Sequence, residues 1–242
     1  MTAIAFTPQE EQVRGMRTRR MLTWFLIIAI VMFFAGLTSA YVVSMSSVEY
    51  WTHFSVPKAF YWSTTFIVLG SIVLQLALVS AKKGQARMIT PMLAAALVLG
   101  VGFSWFQFQG WNELADRKLN LVSQVLLAKG TYGTDLTIAR NGITLVKEGE
   151  FYYLPDDVQK VKPLNAEMEE QGNAASSYFH VLTRAHWAHV AGGLVALLVM
   201  ITMALRGRYT QQDHAGLWSG VIYWHFLGGL WIYLLLFLVF VH

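Results

Sequence analysis

Residues 21–45 read MLTWFLIIAIVMFFAGLTSAYVVSM, a run without a single Asp, Glu, Lys or Arg. A helix of about 20 apolar residues is enough to cross a hydrocarbon core of about 30 Å. The apolar region of a secretory signal is only about 7–15 residues long, so this run reads as a retained membrane helix. Four more stretches meet the same test, at about 59–81, 88–109, 178–205 and 216–241. None alternates with a period of two, which argues against a membrane β-barrel. Composition agrees: 55% of the 242 residues are hydrophobic and 13% charged, about half the charge of an ordinary soluble domain. The absence of cysteine excludes disulfides, thiolate metal sites and iron–sulfur clusters within this chain. The fold class expected is an all-α membrane protein with five transmembrane helices.

The net charge of +4 is explained by topology. Arg14, Arg17, Arg19 and Arg20 precede the first span, Lys82, Lys83 and Arg87 follow the second, and Arg206 and Arg208 follow the fourth. Only Lys58 stands between the first two spans. Positive charge accumulates on the cytoplasmic side, so the N-terminus is expected inside and the C-terminus outside, with no role for nucleic acid. Residues 1–20 read as a basic segment on the inner leaflet, opened by the capping-box spacing Thr7-Pro8-Gln9-Glu10. Spans one to three occupy 21–109, an external insert 110–177, and spans four and five 178–242. Within the insert, Asn141-Gly142 separates DLTIAR from ITLVKEGEFYYL, a strong hairpin signal. Residues 114–127 read as helix-compatible and 165–172 as a polar linker.

Buried charge in a membrane marks function, and the spans hold no Asp, Glu or Lys. That weighs against an ion-coupled transporter or proton pump. The histidines remain. His186 and His189 are three apart on the fourth span and share a face; His225 lies on the fifth. Imidazoles there could hold a haem or a metal, which would make the chain a small membrane cytochrome. The other reading is that they hydrogen-bond between helices, since the spans supply no carboxylate to orient ligand rings. That reading is adopted, with no catalytic, cofactor or metal residue expected. His53, His180, His214 and His242 lie near span ends and read as solvated. Small residues four apart (Gly36/Ala40, Ala188/Gly192, Gly192/Ala196, Gly216/Gly220), with Gly228-Gly229, read as faces where helices approach closely. Trp51, Tyr61, Trp62, Trp111, Tyr178 and Trp218 fall where an interfacial aromatic belt would. Trp224 and Trp231 lie deeper and need partners for their N–H groups.

The last two spans carry paired motifs. Tyr178-Phe179 is followed by Leu182-Thr183, His186, His189-Val190 and Gly193; further on come Tyr223-Trp224-His225-Phe226 and Trp231. Together with Met32–Leu37 and Ala40-Tyr41 in the first span, and Phe54–Pro57 before the second, these resemble subunit III of the haem–copper terminal oxidases, the cytochrome c oxidase type. Five spans resemble the short bacterial form, which lacks the first two of seven helices. The sequence departs from the family pattern at Ile30 and Gly228, where acidic residues are usual, and at Arg184, where glycine is usual.

The resemblance implies a subunit without redox centres, packed beside catalytic subunit I and near subunit II, which hold the haems and copper. It implies aerobic respiratory electron transport in a bacterial inner membrane, with structural phospholipid bound. Trp62, His186, His189, Gly193, Trp224, His225 and Trp231 are the lipid-contact or helix-packing positions it points to. A relative serving a quinol oxidase or nitric-oxide reductase would look alike, and the insert could dock a quinol-oxidising complex.

Overall fold

The computed structural model describes residues 7–242. Helix α1 (Pro8–Ser47) opens on the expected capping box: Glu10 N–H donates to Thr7 Oγ1 at 3.4 Å and Thr7 N–H to the Glu10 carboxylate at 2.8 Å. The helix then continues without a break into the apolar run. The basic residues expected on a separate surface segment are thus the first turns of the spanning helix itself. The chain proceeds through β1 (Tyr50–Phe54), α2 (Lys58–Lys82), α3 (Ala86–Asp116), β2 (Leu136–Arg140), β3 (Ile143–Thr144), β4 (Val146–Glu148), β5 (Phe151–Tyr153), α4 (Asn165–Met168), α5 (Ala174–Leu205) and α6 (Ala215–Phe240). Among the described residues, five helices (α1, α2, α3, α5 and α6) are long and apolar enough to cross a membrane. The chain is a multi-pass membrane protein. Helix α3 begins earlier than the hydropathy suggests, and Pro91 lies inside it.

Two compact units divide the chain: Met1–Phe33 with Thr65–Phe103 and His189–Leu230, and Phe34–Thr64 with Ser104–Ala188 and Trp231–His242.

The first unit packs around Trp224, which is 1% exposed. Its indole lies against glycines of three other helices: Gly70 on α2, Gly100 on α3 and Gly193 on α5. Gly220 of α6 receives Met200 of α5. Such close approach replaces the hydrophobic effect as the packing force in lipid. Not every expected small-residue face is used in this way, because Gly36, Gly192 and Gly229 have nothing packed within 4 Å of the position a Cβ would take.

The second unit contains the segment between α3 and α5. Its hairpin forms where Asn141-Gly142 points: β2 pairs with β3, and Asn141 (φ 49°) and Gly142 (φ 82°) are both left-handed, as a type I′ turn requires. ITLVKEGEFYYL is not one strand. Leu145 turns into a small core, and β4 and β5 pair as a second hairpin around Gly149 at φ 60°. Strand β1, which the sequence reading did not anticipate, pairs with β2 along its whole length, from Tyr50 opposite Arg140 to Phe54 opposite Leu136.

Two further expectations fail here. Residues 114–127 are not one helix: α3 ends at Asp116, where Lys118 N–H donates to Ala115 O and Leu119 N–H to Leu114 O, both at 2.9 Å, with Lys118 left-handed. Nor is 165–172 only a polar linker. It contains α4, whose Met168 joins Tyr50, Val125, Ile138, Leu145, Tyr152 and Leu164 in a buried cluster.

Candidate functional site

In the first unit, a cavity of about 860 Å³ is lined by both charged and apolar side chains. Arg19, Arg206, Arg208, Asp213 and Tyr209 are among its lining residues, and so are Leu26, Ala196, Val199, Met200 and Met203. Among the described residues, none of the three arginines is ion-paired to a carboxylate. Three guanidinium groups against one carboxylate leave an excess of positive charge. Burial pushes the Tyr209 hydroxyl up to about 12, so it stays protonated and able to donate. A lining that combines hydrogen-bond donors with apolar side chains suits an anionic amphiphile. Its arginines were read from the sequence as topology signals only, because nothing local shows that α1 and the α5–α6 connection meet.

The expected site residues are distributed between the two units. In the first, His189 has its backbone carbonyl accepting the Tyr223 hydroxyl at 3.1 Å, with the Phe33 ring 6.2 Å from its imidazole. Gly193 packs on Trp224 and Leu227: a Cβ there would lie 3.4 Å from the indole. The Trp224 N–H finds no hydrogen-bond acceptor among the described residues, contrary to the expectation that it has one. His225 hydrogen-bonds Gln75 of α2 at 3.1 Å.

In the second unit, His186 is fully buried and stacks on Trp231, ring centroids 5.2 Å apart at 28°, with Phe34 edge-on to it at 6.4 Å. Trp231 donates to Thr64 Oγ1 at 2.9 Å, the partner its depth demands. Trp62 is 61% exposed, as a residue facing lipid or another chain would be. Among the described residues, no group of three His, Asp or Glu side chains is arranged to hold a metal.

Several side chains differ from expectation. His180 is buried, with Nε2 bonded to the Leu119 carbonyl at 2.8 Å. His242 sits among Tyr41, Phe54 and Phe179 and hydrogen-bonds the Tyr41 hydroxyl, and burial pushes its imidazole down to about 3. These two are packing histidines, not solvated ones. Trp51 and Trp111 are buried instead of belting an interface, the first in β1 and the second donating to Thr183 Oγ1 at 3.1 Å. A hydropathy window places an aromatic at a span end but does not say which way its ring turns.

Residues 137–242, which include α5 and α6, match the family described as Cytochrome c oxidase subunit III. Over that stretch the chain is similar to subunit III of the haem–copper oxidases. A curated cytochrome c oxidase subunit 3 of the hagfish Myxine glutinosa is 30% identical over 145 residues, 60% of this chain and 47% of that protein. The Synechocystis subunit 3 is 34% identical over 77 residues, 31% of this chain and 33% of its own, and that of Thermostichus vulcanus 38% over 63, or 26% and 31%. The chain spans about a third to a half of the length of these relatives. At one departure from the subunit III pattern, Gly228, a Cβ would lie 3.3 Å from Ser71 Oγ, so α6 runs close to α2 there. Arg184 is accommodated with its guanidinium 5.5 Å from the Trp111 ring centre, a cation–π contact.

Proposed function

We propose that this chain is a non-catalytic subunit III of a proton-translocating haem–copper terminal oxidase that accepts electrons from cytochrome c. It packs beside the catalytic subunit I, with subunit II in the same complex, in a bacterial plasma membrane with its N-terminus cytoplasmic and its C-terminus outside. The match of residues 137–242 to the subunit III family carries the reading. Haems and copper belong to the neighbouring chains; this one supplies an apolar wall, and the arginine-rimmed cavity holds a structural phospholipid by its anionic headgroup. Guanidinium groups pair with phosphate through paired hydrogen bonds, and the apolar lining takes the acyl chains. The segment between α3 and α5, outside the membrane, is a surface on which a quinol-oxidising complex docks.

The test is isolation through a tag on this chain from native membranes in mild detergent. The expected product is a complex that shows haem-oxidase absorption bands and consumes oxygen with reduced cytochrome c. The chain stripped of its partners should show no haem band in a reduced-minus-oxidised spectrum. Isolation free of any haem-bearing chain, or a b-type band on the stripped chain, overturns the reading.

A further inference from the structure

Arg184 carries a charge inside a spanning helix that nothing in the chain answers. It lies ten residues into α5 from Ala174, and its side chain is exposed. Among the described residues it has no carboxylate partner. Glu113, two residues beyond Trp111 on α3, is ion-paired to Arg117 instead. The guanidinium lies over the Trp111 ring, 5.5 Å from its centre. That ring is itself fixed: Trp111 is buried, donates to Thr183 Oγ1, and meets Phe108 and Trp187 edge-on at 5.2 and 6.1 Å. A cation–π contact holds the guanidinium by its face and leaves its N–H donors for another partner.

The depth of this group is set by its neighbours. Arg184 is one helical turn, about 6 Å, from His180, whose Nε2 bonds the Leu119 carbonyl at 2.8 Å, in the segment that follows α3. Trp111 is five residues, or about 8 Å, from the end of α3 at Asp116. The guanidinium therefore stands just inside the level at which the chain leaves its spans, where a bilayer places its headgroups. Away from that end, Phe108 and Trp105 lie about 4.5 and 9 Å deeper than Trp111 along α3, and they are 46% and 64% exposed. A fixed cation at headgroup depth heads an open apolar strip, which is the layout of a single phospholipid.

Charge narrows the choice of occupant. A guanidinium keeps its charge at any working pH and offers five donors and no acceptor. The hydroxyl or carboxamide of a neighbouring helix would leave that charge unneutralised. A second copy apposed through this face would bring Arg184 against Trp105, Phe108, Val181 and Ala188, none of them acidic, and against its own counterpart. Phosphate neutralises the charge and matches the guanidinium fork with two hydrogen bonds, and a bilayer supplies it at this depth all along the face.

We infer that Arg184, on its shelf of Trp111, Phe108 and Trp187, binds the phosphate of a phospholipid in the leaflet on the side of the α3–α5 segment. One acyl chain of that lipid runs along Phe108 and Trp105. The site shares no residue with the arginine-lined cavity. It requires that the chain span a membrane, and does not depend on membership of an oxidase.

Photolabelling tests it. The full chain, with whatever subunits accompany it from native membranes, is placed in nanodiscs of digalactosyldiacylglycerol, a host without phosphate. The probe is a small fraction of phosphatidylglycerol bearing an acyl-chain diazirine; the control is digalactosyldiacylglycerol bearing the same diazirine. Mass spectrometry should find adducts at Trp105 and Phe108 several times more often with the phosphate-bearing probe. Arg184→Gln should lower that labelling about fivefold, as for loss of a charge-assisted contact, and Arg184→Lys should keep part of it. Arg206→Ala with Arg208→Ala should leave it unchanged. Circular dichroism and melting of each variant check that a lost label is not a lost fold. Equal labelling by the two probes, or full labelling of Arg184→Gln, would show ordinary lipid contact and overturn the inference. Abolition by millimolar inorganic phosphate would assign the site to a soluble anion, and absence of label in the native chain would assign it to a partner's carboxylate; either overturns it too.

Discussion

Gly100 of α3 lies beneath the benzo edge of Trp224: a Cβ on Gly100 would stand 2.7 Å from Cη2 of the indole and 2.6 Å from Cδ2 of Leu194. Real Cβ atoms do not approach so closely, so the indole occupies the space a side chain would need. Gly100→Ala should therefore destabilise the chain by about 1–3 kcal/mol, the usual cost of overpacking. Gly36→Ala, where nothing is within 4 Å, should cost nothing and follow the helix preference for alanine. Melting of both variants in one detergent checks the contrast. Equal melting temperatures would refute the close approach.

The Trp231 N–H donates to Thr64 Oγ1, which in turn donates to the Phe60 carbonyl at 2.9 Å. Thr64→Val keeps the volume and removes this acceptor from the indole N–H. The expected loss is about 1 kcal/mol. Trp231→Phe removes the donor together with the acceptor's burden, yet shortens the ring stacked on His186. Adding Thr64→Val to Trp231→Phe should therefore cost less than adding it to the native chain, which a double-mutant cycle of melting measurements resolves.

The I′ turn depends on Gly142 at φ 82°. Gly142→Val forces a β-branched side chain into the left-handed region and should cost about 1–2 kcal/mol. Because β2 is shared between β1 and β3, the damage should appear as faster proteolysis within residues 130–165. Unchanged cleavage there would argue against the turn.

Arg140 holds Glu49 at 2.6 Å and Glu167 at 2.9 Å, over the Tyr50 ring. The hydrogen bond from the Lys162 side chain, helped by the charge of Arg140, draws the Glu167 carboxyl below its ordinary value of 4.5 against the opposing effect of desolvation. A folded value below the unfolded one means that the carboxylate stabilises the fold fully above pH 4.5 and loses that contribution as pH falls through the lower folded value. Amide exchange in residues 145–170 should accelerate over that acidic window. In Glu167→Gln it should be faster at neutral pH and less responsive to acid.

Arg206→Ala combined with Arg208→Ala should reduce the anionic phospholipid that co-purifies with the chain, read by mass spectrometry of extracted lipid. The loss should be at least severalfold at moderate salt, given that each arginine–phosphate contact is a charge-assisted hydrogen bond. Retention equal to the native chain would show that the cavity does not hold an anionic headgroup.

Much of this was legible in residue order. Unbroken apolar length showed five spans, and Asn141-Gly142 marked a hairpin because the turn needs two residues tolerant of positive φ. The Thr7–Glu10 spacing marked the start of α1. What stayed hidden depended on partners distant in sequence. Strand β1 has only five residues, with no turn signal to announce its pairing with β2 some 80 positions later. Gly70 and Gly100 stand in no four-residue motif, yet they bound Trp224, while the motif glycines Gly36 and Gly192 face open space.

The sequence by itself determined that this chain lives in a membrane, how many helices cross it, and which oxidase subunit it resembles, because these rest on apolar length and local motif. The tertiary structure decided which histidines are packed, which tryptophan is bonded and which is not, and that Arg19 meets Arg206 and Arg208 around one cavity. It also revealed that Arg184 lies over the Trp111 ring. Helices in lipid have no hydrophobic gradient to dictate which side turns inward, so shape complementarity between distant segments sets the contacts, and that complementarity exists only once the chain is folded.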